Sequence, residues 1–484
     1  MNDMNSIWEQ TAERPERSAL AENLHTDVAV IGAGMAGVLT AFLLRQRGVD
    51  CVVLEAARIG SGQTAGTTAK ITSQHGLVYR GLIDRFGEAA ARQYARINQR
   101  AIGAYRRIAE ENGIDCMLEE RDAYTYGLTE AESLREEAEA AASLGLPATF
   151  CDRVQLPFPV AGAVRFTGQA QFHPLRFLYG VSRELDIFEH SPVQAVEDNV
   201  LSVNDHTVTA GKIVFAAHYP FINFPGLYFS RMYQSRSYVL ALENAAPVDG
   251  MYVGAAEGDL SLRTAGRLLL MGGSAHRTGE NSTGGCYQTL LSKAEGLYPG
   301  SRVVARWSAQ DCMTPDNVPY IGLYAPGKPD WYVATGFNKW GMTGSMAAAE
   351  LLADAITGRE NADAAIFSPQ RFNAAIALET LREGAQAVKG LTLQHLTVPE
   401  AMVADLRAGH GGVVDIGGQK AGVYRDDTGR LHAVNTQCPH LGCQLEWNPD
   451  EKSWDCPCHG SRFDFHGYLI DNPAGESLER LDVE

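Results

Sequence analysis

No run of apolar residues in this chain is long enough to cross a bilayer, and its opening residues, MNDMNSIWEQTAERPER, hold neither a basic nor an apolar stretch of the kind that directs secretion. A cytoplasmic protein with no membrane span is the expectation. Basic charge is short as well: 41 Lys and Arg against 58 Asp and Glu leave a net charge of -17, which repels phosphate backbones and anionic lipid surfaces. Nucleic acid is therefore not an expected partner. Paired cysteine spacing is missing from most of the chain, where Cys51, Cys116, Cys151, Cys286 and Cys312 are scattered and read as small buried hydrophobes in a reducing compartment. What is present suffices for two or three packed domains: 484 residues, 45% hydrophobic, with 49 glycines that suit an α/β design rich in tight strand-to-helix turns.

The first chemistry-bearing stretch is DVAVI, residues 27–31, which runs into Gly32-Ala-Gly34-Met-Ala-Gly37 and then the helical VLTAFLLRQRG. A second apolar run, residues 51–54, closes on Glu55. Strand, glycine turn, helix, strand and acid follow one another at the spacing of a dinucleotide-binding unit. The first glycine makes the turn, the second lets backbone approach a pyrophosphate, the third packs helix on strand, and the acid holds ribose hydroxyls. The fingerprint alone does not separate FAD from NAD. Two later stretches bear on that choice: RWSAQDCMTPDNVPYIG, residues 306–322, and WYVATGFNKWGMTGSMAAAELLADAITG, residues 331–358, a further strand, glycine turn and helix.

With those stretches in place the chain resembles the D-amino-acid-oxidase-like flavoproteins, the group that includes glycine and sarcosine oxidases. The resemblance spans roughly residues 26–376 and implies an α/β fold: a FAD-binding Rossmann-like domain with an inserted α+β substrate domain. It assigns residues 26–84, 166–219 and 306–376 to FAD binding, and 85–165 and 220–305 to the substrate domain. It implies that Gly32, Gly34, Gly37 and Glu55 bind the ADP half, and that Val193, with KIVFAA at 212–217, lies near adenine. Thr314-Pro315-Asp316, Pro319, Ile321-Gly322 and the turn bearing Gly336, Gly341, Met342 and Thr343 would hold the isoalloxazine. One departure stands out. Many amino-acid-oxidising relatives place a basic residue just before the TPD element, where this chain has Asp311; facing the pocket, an acid there would favour a cationic amine. As a turn or capping residue it would have no such role. Lys339 and Lys70 are further catalytic candidates, each with a surface or structural role as its alternative. Cys312 stands at the wrong distance from TPD for a covalent flavin bond.

The pattern changes after residues 374–391, a helical stretch, and a domain boundary is expected near residue 395, giving domains at 1–395 and 396–484. No Gly/Ser-rich tether joins them, so the second domain should dock on the first. GGVVDI, AGVYR and LHAVN read as strands separated by glycine and DDTG turns. Then come CPHLGC and CPCHGS, residues 438–443 and 456–461. Zinc is one reading of so many cysteines and histidines. The other is a Rieske [2Fe-2S] centre, which needs two thiolates on one iron and two imidazoles on the other, one of each from each loop. Cys438 and Cys456 with His440 and His459 meet that requirement. Residues 397–484 resemble the Rieske domains of cytochrome bc complexes, which are small and all-β, and the likeness extends to Trp447, Asn448 and the NPA at 472–474. It implies those four ligands and a disulfide between Cys443 and Cys458. Ring-hydroxylating Rieske oxygenases lack that pair and carry a mononuclear iron domain, which this sequence does not show; an oxygenase is not expected. Ser461 stands where a hydroxyl can donate to the cluster, and Phe463 stands where high-potential relatives have a phenol, so an intermediate potential is expected.

A two-electron and a one-electron carrier in one chain imply an enzyme that takes a hydride from an amine or amino-acid-like C–N bond and passes electrons singly to a ferredoxin or cytochrome. GHGGVVDIGG, near residue 410, lacks the helix of a second nucleotide unit, so electrons are expected to enter from an organic substrate. Two rivals stand beside this reading. Electrons could flow the other way, from the cluster to FAD, or FAD could be structural in a non-catalytic electron-transfer or assembly protein.

Overall fold

The computed structural model of the chain describes residues 5–129, 131–371, 403, 406–416 and 419–482. The expected helix over 374–391 and the boundary near 395 lie outside the described residues.

A parallel sheet is built around Leu24–Ile31, which is flanked in parallel by His206–Phe215 and Cys51–Leu54, with Trp331–Thr335 and Asp186–Phe188 outside them. Tyr320–Leu323 closes one edge in antiparallel. Val28 to Ile31 and Cys51 to Leu54 are buried without alternation, as strands covered on both faces must be. Helices Met35–Gln46, Gly341–Ile356 and Glu88–Glu111 pack in succession against one another. The helix that follows the first strand therefore lies beside the helix that follows the last long one. Nucleotide fingerprint and late glycine turn thus open at the same end of the sheet.

A second, nine-stranded sheet runs in the order Arg302–Met313, Tyr233–Glu243, Leu268–Arg277, Ser261–Ala265, Met251–Gly254, Glu119–Gly127, Gly162–Gln171, Lys70–Ile71, with Ala148–Cys151 beside Gly162–Gln171. Along Arg302–Met313, side chains alternate between faces. Ala309 packs on the short helix Gln63–Gly66, whereas Ser308 and Gln310 point the other way, into the C-terminal domain. That domain consists of two four-stranded antiparallel sheets, one carrying Gly411–Ile416, Gln419–Arg425 and Leu431–Asn435, the other Glu446–Asn448, Ser453–Asp455, Arg462–Asp464 and Leu469–Asp471.

The domain docks closely, as the missing tether led one to expect. Arg236, 2% exposed, meets Glu451 with both arms of its guanidinium, at 2.7 and 2.6 Å. Glu451 also pairs with Arg462, which bonds Asp455 and Asp471 in turn. Asn472 donates to the carbonyls of Ala217 and Tyr219, and Gln310 to that of Gly460. Among the described residues no helix is long and apolar enough to cross a membrane.

Candidate flavin and cluster sites

The fingerprint glycines have separate physical roles. Gly32 has φ +103°, and a Cβ there would lie 2.7 Å from the Ala216 carbonyl oxygen; at Gly37 it would lie 1.9 Å from the Gly32 oxygen. Both are sealed by backbone. At Gly34 a Cβ would meet only the Thr64 hydroxyl, at 3.5 Å, so space is open above the turn. Gly34, which precedes the helix starting at Met35, offers no capping side chain; the Met35 N–H donates to the Thr64 hydroxyl at 3.0 Å, and the open space at this helix N-terminus is a cradle that can take a pyrophosphate. Glu55, raised from the ordinary carboxyl range by burial, accepts from the N–H groups of Ala33 and Ala57, each at 2.8 Å, and stands beside the cradle. These residues fit the ADP half of a dinucleotide. Gly37→Ala is expected to abolish FAD retention, because the added methyl has only backbone to push against; flavin absorbance of the purified protein measures it.

At the same end of the sheet, the TPD element and the late turn are clasped together. Asn338 accepts from Thr314 N–H at 3.0 Å and donates to the Gly336 carbonyl at 3.1 Å, while Gly336, at φ +71°, leaves no room for a Cβ beside Thr314. Asp316 is held by Arg371 through two hydrogen bonds of 2.7 and 2.9 Å. His75, kept neutral by burial with its pKa near 3, takes the Tyr94 hydroxyl at Nδ1 and lies 2.9 Å from both the Thr72 carbonyl and the Thr343 hydroxyl at Nε2. Its ring stacks on Trp340 at 5.0 Å. His75, Leu77, Met313, Asn338, Lys339 and Trp340 line a cleft at the start of helix Gly341–Ile356.

In the C-terminal domain, Cys443 and Cys458 are joined by a disulfide, which removes two of the six candidate ligands. The remainder pair like with like. The Cys438 thiol is pulled down to about 7, first by its hydrogen bond with Cys456 and then, against burial, by the His440 N–H and the Ser461 hydroxyl. His440 and His459 stand edge to face with centroids 4.9 Å apart, and the Nδ1 atom of each is buried without a hydrogen-bond partner. Buried nitrogens left bare are costly unless something binds them. Two thiols and two free imidazole nitrogens would suit zinc or a Rieske cluster; thiol beside thiol and imidazole beside imidazole, one of each per loop, is the cluster's arrangement. The disulfide sulfurs lie within 4.8 Å of that of Cys456, so the bridge packs directly on the ligand set.

Comparison with known proteins agrees with this geometry. Residues 27–355 match the model of the FAD dependent oxidoreductase family. The chain belongs to that family. Residues 397–482 match the Rieske [2Fe-2S] domain, which decides between zinc and iron-sulfur. A Bacillus subtilis (strain 168) protein, YhfW, whose name describes it as a Rieske 2Fe-2S iron-sulfur protein, is 36% identical over 99% of this chain and 98% of its own length. Glycine oxidase from Geobacillus kaustophilus superposes with a TM-score of 0.62 at 20% identity, covering 72% of this chain and all of that one. L-proline dehydrogenase from P. horikoshii does so at 0.60 and 19%, covering 73% of this chain and 98% of its own. This is an FAD-dependent oxidoreductase of amino-acid-oxidase type carrying a Rieske domain.

Within this oxidoreductase the catalytic candidates separate. Asp311 and Lys339 share one neighbourhood: burial raises the Asp311 carboxyl to about 6, and the charges of Lys339 and Arg236 oppose the rise. Lys339 lines the cleft. Lys70 lies elsewhere, its ammonium donating to Ser261 at 2.7 Å and Thr68 at 3.0 Å; burial, with the nearby Arg263 charge, lowers it to about 7. Gly341 and Met342 begin the late helix, the Met342 carbonyl accepting from Tyr105, and the Thr343 hydroxyl is used to bind the Thr72 carbonyl. Val193 starts a strand beside Val203. The sequence reading missed His75, Asn338 and the docking residues Asn223, Gln234 and Arg236. A lone His before a glycine carries no motif, and the others act only across the fold.

Ser461 stands beside the Cys438 sulfur. Its oxygen accepts from Ala474 N–H at 3.0 Å, which leaves its proton for the Cys438 sulfur. Phe463 is buried with no group to donate. Ser461→Ala is expected to lower the reduction potential, because the lost bond favours the reduced cluster, and Phe463→Tyr to raise it. Each shift is of the order of one hydrogen bond, about 1 kcal/mol, and voltammetry reads both.

Proposed function

We propose that this protein is a dehydrogenase that oxidises an amine or amino-acid-like C–N bond and exports the electrons singly through its Rieske domain. The observation that carries the reading is the double use of strand Arg302–Met313. One of its faces meets helix Gln63–Gly66, next to the nucleotide cradle; the other holds the cluster loop through Gln310 and the Gly460 carbonyl. One strand thus touches both the helix beside the cradle and the cluster loop. FAD bound in the cradle supplies two-electron acceptance from carbon, and the [2Fe-2S] cluster supplies one-electron exchange.

The chain's own residues account for the rest. Gly32, Gly34, Gly37 and Glu55 would hold the nucleotide half, and the Asn338 clasp would hold the late turn against TPD. The Asp311 carboxyl, near 6 in a buried setting, is mostly ionised at neutral pH, where it can take up a proton as a base and pairs better with a cationic ammonium than with a free carboxylate. Oxidation of the amine to an imine releases two electrons and two protons, and the electrons leave for two molecules of a one-electron carrier such as a ferredoxin or cytochrome. The relatives named for glycine oxidation and proline dehydrogenation support the C–N donor class. The decisive test is an anaerobic amine and amino-acid screen that follows the flavin and cluster bands separately. Bleaching of the flavin before the cluster is expected, and a panel that bleaches neither would sink the substrate class.

A further inference from the structure

His440 sits at the outer rim of the cluster site, and its surroundings come from the other domain. With Nδ1 left bare for iron, the ring proton must be on Nε2, and that N–H donates to the Asn223 side-chain oxygen at 2.8 Å. The tautomer forces the amide orientation: only the oxygen of Asn223 can face His440. Asn223 belongs to the segment that follows the parallel strand His206–Phe215. Tyr324 donates its hydroxyl to the Ile222 carbonyl, Leu227 N–H closes on the Asn223 carbonyl at 2.9 Å, and Tyr228 donates to the Tyr324 carbonyl at 2.8 Å. Phe229, from the same segment, presents its ring edge-to-face to both imidazoles, at 6.4 and 5.8 Å.

We infer that Asn223 is a positioning and potential-setting residue for the cluster, supplied by the oxidoreductase part of the chain. A partner that accepts from the far nitrogen of a ligating imidazole fixes the ring and makes the near nitrogen a stronger donor. A stronger donor stabilises the oxidised iron, so the contact lowers the reduction potential. The oxidoreductase part thereby sets the potential of the cluster docked on it. Asn223 is a neutral acceptor; a carboxylate there would lower the potential further, and an apolar side chain would release it.

The test is voltammetry of the full-length, FAD-loaded and cluster-loaded protein, with the Rieske EPR signal recording an intact cluster. No substrate is needed, so failure here is separable from failure of the proposed reaction. Asn223→Leu is expected to raise the potential by about one decade of the reduction equilibrium, roughly 59 mV for one electron, and Asn223→Asp to lower it. A purely structural contact would leave the potential unmoved while cluster retention fell. Potentials of both variants equal to the parent's, or shifted in one direction together, overturn the inference. Should the Leu variant not retain its cluster, the Asp variant decides: a fall supports the inference, and no change or a rise overturns it.

Discussion

Arg236→Ala is expected to cost about 3–5 kcal/mol of stability and to loosen the C-terminal domain from the oxidoreductase part, because it leaves the buried Glu451 without its nearest cation. Arg236 and Glu451 are both almost fully buried, and their guanidinium–carboxylate contact is two-pronged. Thermal unfolding measures the cost, and proteolysis near the domain junction measures the loosening. Removing both charges should cost less than the sum of the single changes, which a double-mutant cycle reports. The pair also carries a pH signature. Glu451 is held down to about 2 by Arg236 and Arg462 against the effect of its burial. A depressed carboxyl stabilises the fold above its unfolded value of ~4.3 and loses that contribution as pH falls. The parent should therefore lose stability between roughly pH 4 and 2, and Arg236→Ala should lose less over that interval because most of the contribution is already gone.

Legibility of this molecule from its sequence tracked the range of each interaction. Gly32, Gly34, Gly37 and Glu55 lie within one strand-helix-strand unit, so the glycine turn and the acid beside it were legible from spacing alone. CPHLGC and CPCHGS were readable because each loop carries its own thiol and imidazole, and the resemblance supplied the Cys443–Cys458 bridge that the structure shows. The docked arrangement was foreseen only as docking. Its residues are single polar side chains far apart in sequence: Gln234 donates to the His459 carbonyl at 2.7 Å, and Asn472 reaches back to Ala217 at 2.8 Å. Neither contact has a periodicity, and the NPA motif that holds Asn472 does not reveal its partner across the fold. Asp311 shows the limit from the other side, since an acid before TPD is visible in the sequence, but its burial and the proximity of Lys339 depend on how two distant segments meet.

Cys456→Ser should divide the two halves of the proposed reaction. Cys456 is fully buried, its thiol is hydrogen-bonded with that of Cys438, and the N–H groups of His459 and Cys458 point at it. A serine oxygen is a poor substitute for a thiolate toward iron, so the cluster's EPR and visible signals should vanish. The cradle is built from other segments, and FAD should be retained. With an amine substrate the variant's flavin should then bleach as fast as the parent's, while reduction of an external one-electron carrier falls to the level of a flavin with no outlet. Reoxidation by the carrier becomes the slow step, and the flavin stays reduced. Flow in the opposite sense gives a different pattern: a reduced carrier would bleach the parent's flavin and not the variant's, and amine would bleach neither. One substitution with two electron sources thus fixes the direction in which the port conducts.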